Sequence, residues 1–289
     1  MDSPQKSWRT PFAALALMAM ANAFAFSTWN ALHTNYAVDV IHFGGREQGI
    51  LHTVREIPGF LAFAAVFFLL IMREQTLGIL SVLVIGFGVA VTGFFPTAFG
   101  FYATTLIKSL GFHYYETVAQ SLALQWFDKT NAPSRMGRIY SLASMATIAA
   151  YGLLFFTWKY LHLDFKWVFL AGGLVAIAAG LAVWLLFPRF VEKVEQRKAL
   201  VLRRRYWLYY AITFVGGARR QIFIIFAILM MVQKFGYSVS DMTLLMLGNA
   251  LFTTLIAPQM GRFIELWGER RSIIVEHAGL MADRIADLA

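Results

Sequence analysis

Between residues 11 and 260 the chain repeats one pattern, apolar stretches of about twenty residues or more separated by short polar breaks. A bilayer core is about 30 Å thick and takes roughly 20 helical residues to cross. Lipid offers backbone polar groups no partner, so a chain written this way must close its hydrogen bonds internally, as helices or as a barrel. No alternation of strand period accompanies the runs. The expected fold is therefore an all-α integral membrane bundle, with about eight spans near 11–33, 47–72, 76–95, 97–126, 138–159, 166–187, 206–232 and 240–260. Pro96 and Pro188 punctuate span ends, whereas Pro58 and Pro258 fall within spans. Composition agrees: 59% of residues are hydrophobic and 14% charged, against about 45–50% and about 25% in soluble domains.

Charge placement orients the bundle. With the N-terminus inside, 16 Lys and Arg fall in cytoplasmic segments and four (Arg46, Lys159, Lys166, Lys234) outside, a strong positive-inside bias. The net charge of +9 is thus an orientation signal, not a nucleic-acid footprint. The first span lacks a small-residue cleavage site and reads as a retained helix. The expected location is the plasma membrane, or the inner membrane of a bacterium. Residues 1–188 form a six-span half, 189–205 a basic cytoplasmic linker suited to anionic lipid headgroups, and 206–289 further spans ending in a polar tail.

The segment GRFIELWGERR at 261–271 follows span eight. Its Gly261, Glu265, Gly268, Arg270 and Arg271 match the pattern G-x-x-x-[DE]-x-x-G-x-[RK]-[RK], and SRMGR at 134–138 opens span five. With six spans, a basic linker and further spans, the chain resembles the major facilitator superfamily. The loop after span two, IMREQTLG, departs from the family's pattern. The resemblance implies twelve spans in two inverted-repeat halves around a midplane site, so this chain is expected to be one half plus about a third of another, C-terminally truncated. It also implies that spans one, two, four, five, seven and eight line a central cavity, that three and six face lipid, and that the 261–271 loop fastens helix ends during gating.

Charges at membrane depth occur on span two (Arg55, Glu56), span four (Lys108, Glu116) and span seven (Arg219, Arg220), and none on spans three or six. Each costs roughly 2.5–3.5 kcal/mol near a bilayer centre, so each needs a partner or a polar cavity. At about 100° per residue, Gln48, His52, Arg55, Glu56 and Gly59 share one sector of span two. Tyr102, Thr105, Ser109, His113, Glu116, Thr117 and Gln120 form a stripe on span four, with Lys108 beyond its edge near Tyr115. Asn22, Asn30 and His33 on span one, and Tyr140, Ser144, Thr147 and Tyr151 on span five, supply hydrogen-bonding walls. Arg220 shares a face with Tyr209, Thr213 and Gly216, whereas Arg219 lies beside Val215, Ile222 and Phe226 and is expected to pair with Glu56 or Glu116.

Four cations against two carboxylates leave a surplus of two positive charges, which suits an anionic solute gripped by guanidinium forks. The expected solute ligands are Arg220, Arg55, Lys108, Asn22, Asn30 and Tyr151, and the expected proton-coupling groups are Glu56, His113 and Glu116. A closed structural ion network is the competing reading of the same charges. Cysteine is absent, which excludes disulfides and thiolate metal sites, and no G-x-S-x-G, phosphate-cradling loop or H-E-x-x-H motif suggests an enzyme. No cofactor or metal is expected. The function expected is secondary transport of a small anion by alternating access with proton coupling. Multidrug-type efflux and a non-transporting membrane scaffold are the alternatives.

Overall fold

The computed structural model describes residues 8–128, 131–191, 203–208, 210–211, 225–268, 271 and 274–275, with backbone alone at 133 and 257–266. Helix α1, Pro11–Asn35, starts where Thr10 accepts a bond from the Ala13 N–H at 3.2 Å and Pro11 opens the first turn. It continues through a π-helical turn, Tyr36–Val40, beyond the expected end at 33. Helix α2, Gly45–Phe60, contains Pro58. The expected single span over 47–72 breaks after it into a 3-10 turn, Ala62–Ala64, and a short α3, Ala65–Leu69. Proline withholds an N–H and crowds the preceding turn, so the helix reforms only after a break.

Helices α4 (Glu74–Thr92), α5 (Ala98–Trp126), α6 (Ala132–Phe156) and α7 (Phe165–Leu186) follow. Thr97 caps α5 by accepting from the Gly100 N–H at 3.1 Å, directly after the helix-stopping Pro96. A π-helical turn, Thr157–Leu161, extends α6. Residues 225–233 are helical (α8), and α9 spans Val239–Trp267. Among the described residues six stretches are long and apolar enough to cross a membrane, from Pro11–Val40 to Val239–Ile256. Helix α5 is not among them despite its 29 residues. Lys108, Ser109, His113, Glu116, Gln120 and Gln125 dilute its apolarity.

In the first six-span bundle α4 packs on α5 and α7, α1 on α6 and α7, and α2 on α5. Without a hydrophobic drive between helices in lipid, close backbone approach supplies the attraction. Glycine permits it: a Cβ on Gly86 would lie 2.7 Å from the Gly173 carbonyl oxygen, and one on Gly111 would lie 2.6 Å from that of Ser81. Span three was expected to face lipid. Instead most of α4 is buried between α5 and α7, with Val82, Ile85 and Val89 at 0% exposure. The freedom of residues 76–92 from charge therefore serves helix packing. Helix α7 does present Trp167, Leu174, Val175, Leu181 and Trp184–Leu186 outward.

The chain divides into two units, 1–246 and 247–289. Helix α9 runs past the expected end of span eight at 260, so Gly261 and Glu265 are helical rather than in a loop. Nothing before Gly268 stops the helix. That residue, at φ +81°, takes the left-handed conformation in which helices end at low steric cost for glycine. Arg271 is helical and exposed, whereas Arg270 lies outside the described residues, as do Arg219 and Arg220.

Candidate functional site

Polar side chains of α1, α2, α5 and α6 meet in several places inside the first unit. On α2 the Arg55 guanidinium donates twice to Glu56 Oε1, from Nε at 3.0 Å and Nη2 at 2.7 Å. The second carboxylate oxygen of Glu56 lies 3.9 Å from His113 Nε2 on α5. Gly59 makes room for that imidazole, because a Cβ there would sit 2.9 Å from His113 Cε1. Ser109 donates to the Arg55 carbonyl and Tyr102 donates to that of Glu47 at 3.3 Å, clamping α5 to α2 at two points along the sector predicted for span two. Arg55 is 12% exposed and Glu56 36%, so the pair is only partly shielded.

Glu116 was expected to work beside His113 on the stripe of span four. The structure gives the two different partners. Glu116 Oε1 accepts from Asn22 Nδ2 of α1 at 3.1 Å, while His113 turns to Glu56. A helical offset of three residues brings side chains near one another on one surface, but α1 on one side and α2 on the other pull them apart. The Asn22–Glu116 bond lines a crevice of about 170 Å³ between α1, α5 and α6, walled by Leu15, Tyr115, Gln120, Met136 and Tyr140. No basic group forms an ion pair with Glu116 among the described residues.

Between α1 and α6, Ser27 Oγ donates to Thr147 Oγ1 at 3.2 Å, and the buried Tyr151 faces Asn30 and Ser27. The spacing i, i+4, i+7 and i+11 from Tyr140 on span five anticipated Thr147 and Tyr151. Lys108 is elsewhere: at 1% exposure it reaches neither crevice nor solvent, and its Nζ lies 3.8 Å from the Trp29 ring centroid and 4.5 Å from that of Phe26. That aromatic cover explains how a residue off the polar stripe can be accommodated.

Two groupings escaped sequence reasoning. Glu74, at the start of α4, accepts from Ser121 Oγ at 3.1 Å and Gln125 Nε2 at 2.7 Å, and Gln75 holds the chain after α7 through the Pro188 carbonyl and the Phe190 N–H, each at 3.0 Å. The divergent loop IMREQTLG therefore contains its own fastening. The i, i+4 pair Ser121 and Gln125 was the available signal. At the opposite end, Asn35 Nδ2 donates to the Tyr237 carbonyl at 2.9 Å and Gln233 Nε2 to that of Phe43 at 2.7 Å. These bonds hold the α8–α9 connection against the α1–α2 connection, and no local pattern announces contacts about 200 residues apart.

The first unit thus sets Arg55, Glu56, Lys108, His113 and Glu116 on α2 and α5, beside polar side chains of α1 and α6, and holds Glu74 as a fastening group at the start of α4. Comparison with solved structures gives the same architecture. The nucleoside transporter NupG superposes with a TM-score of 0.67 at 14% identity, over 89% of this chain and 68% of that one. A bacterial homologue of the human lysosomal transporter Spinster, in an inward-facing unoccupied conformation, gives 0.66 at 14% identity over 92% and 64%. This chain thus spans about two thirds of the length of those transporters. No curated protein sequence matches it. The family model described as Major Facilitator Superfamily matches residues 15–282, and with the six-helix packing this establishes that the chain belongs to the major facilitator superfamily.

Proposed function

We propose that the protein moves a small anionic solute by alternating access, coupled to protons. The observation that carries this reading is the Arg55–Glu56–His113 cluster, a guanidinium, a carboxylate and an imidazole at membrane depth and only partly covered. An incoming anion competes with Glu56 for Arg55; protonation of Glu56 frees the guanidinium for the anion, and protonation of His113 draws the Glu56 carboxylate toward the imidazolium. Arg220 joins Arg55 as an anion ligand, with Asn22, Asn30 and Tyr151 as polar walls, while Glu56, His113 and Glu116 carry the proton. Arg219 balances charge, and Gly261, Glu265, Gly268, Arg270 and Arg271 fasten the end of α9. The N-terminus is cytoplasmic in this reading, in a plasma or bacterial inner membrane. Alternating access is supported by the Asn35–Tyr237 and Gln233–Phe43 bonds, which lie at the opposite end of the bundle from the crevice beside Met136.

Purified protein in vesicles tests this reading with labelled organic anions and cations under an imposed pH gradient. Gradient-driven accumulation of an anion, lost in Arg55→Gln, is expected. A second reading rests on Glu116, whose carboxylate has no ion pair among the described residues, sits among Tyr115, Tyr140, Met136 and Leu15, and suits a lipophilic cation. Accumulation of cations alone, abolished by Glu116→Gln and indifferent to Arg55→Gln, would replace the first reading with the second.

A further inference from the structure

Three helices meet around a group of polar atoms to which no described residue offers a hydrogen bond. Trp29 Nε1 on α1, Gln48 Nε2 and Oε1 and both ring nitrogens of His52 on α2, and Thr105 Oγ1 and Lys108 Nζ on α5 are all buried without a hydrogen-bond partner. Their residues are 0–6% exposed. They form one neighbourhood. Gln48 and His52 are one turn apart on α2, as are Thr105 and Lys108 on α5, and the Tyr102–Glu47 and Ser109–Arg55 bonds bracket both pairs. Lys108 touches Trp29, Trp29 stacks on His33 at 4.3 Å, and His33 meets His52 edge to face at 5.5 Å. Glu56, the carboxylate in electrostatic range of Lys108, is already held by Arg55 at 2.7 Å.

Buried polar groups left unpaired are costly, and a buried charge more so. Loss of the lysine proton would remove the charge but leave Trp29, Gln48, His52 and Thr105 without partners. A small anion with its accompanying water answers both needs, because the ammonium, the indole N–H, the amide NH₂ and the hydroxyl all donate. We propose that Gln48, His52, Thr105, Lys108 and Trp29 form an occluded site for a monovalent inorganic anion of the chloride class. The site lies inside the first six helices, closed to solvent in this conformation. It goes beyond the transport reading and stands whether the transported solute is an anion or a cation.

The test is thermal unfolding of the purified protein in detergent at constant ionic strength, with sodium chloride replacing sodium gluconate, an anion too large for the site. The parent is expected to gain about 4 °C or more, saturably. Lys108→Met should melt at one temperature in both salts. Gln48→Glu, which tethers a carboxylate beside Lys108, should also lose the chloride response and melt near the chloride-saturated parent. It keeps the test decisive should Lys108→Met fail to fold. Equal melting of the parent in both salts would show that water alone fills the site. A chloride response surviving in Lys108→Met or in Gln48→Glu would place the anion elsewhere; each of these results overturns the proposal.

Discussion

If the two bonds between the α1–α2 and α8–α9 connections are the gate of an alternating-access cycle, weakening them should open that end. Asn35 Nδ2–Tyr237 O at 2.9 Å and Gln233 Nε2–Phe43 O at 2.7 Å both run from a side chain to a backbone carbonyl. The Asn35→Ala, Gln233→Ala double variant removes both donors and leaves the carbonyls free to bind water once the end opens. A net value of about 1 kcal/mol per bond sums to about 2 kcal/mol, and at 1.4 kcal/mol per decade the ratio of closed to open forms falls about 30-fold. The chain has no cysteine, so spin labels at Ile41→Cys and Lys234→Cys can be introduced without background. Distance distributions by pulsed electron paramagnetic resonance should show a short population in the parent and a longer one in the double variant. If both proteins give the same distribution, these contacts are local packing and the gating argument fails.

Three further outcomes are expected. Reporter fusions after Arg197 and after Gly236 should report inside and outside respectively, from the 16-to-four charge bias; the reverse would sink the orientation. Arg220→Lys should weaken binding of the transported anion about tenfold, on the order of 1.4 kcal/mol, because lysine keeps charge but loses the planar fork. Arg219→Lys should affect yield in detergent more than binding, and equal binding of the anion by parent and Arg220→Lys would remove Arg220 from the site. Gly173→Val should lower the unfolding temperature, since its Cβ would press on the Gly86 carbonyl and lie 2.6 Å from Ala90 Cα. Overpacking there costs about 1–3 kcal/mol, and an unchanged melt would mean that α4 and α7 are not in backbone contact.

Sequence alone was enough for whatever depends on local pattern. The bilayer imposes a minimum apolar length on each crossing, so the spans could be read from Pro11 to Leu186, and with the family pattern at 261–271 they indicated a membrane bundle of this superfamily. Stripes at helical spacing likewise singled out Glu56, His113, Glu116, Thr147 and Tyr151, since side chains on one face recur every three or four residues. Partners were a different matter. Glu116 bonds to Asn22, 94 positions away, and His113 approaches Glu56 because Gly59 leaves it space; helical period says which way a side chain faces but not which helix it meets. The glycine-mediated packing of α4 between α5 and α7, the fastening of Glu74 and Gln75, and the burial of Lys108 beneath Trp29 all depend on how helices dock. Docking is decided by shape complementarity over many residues at once, and so by tertiary structure.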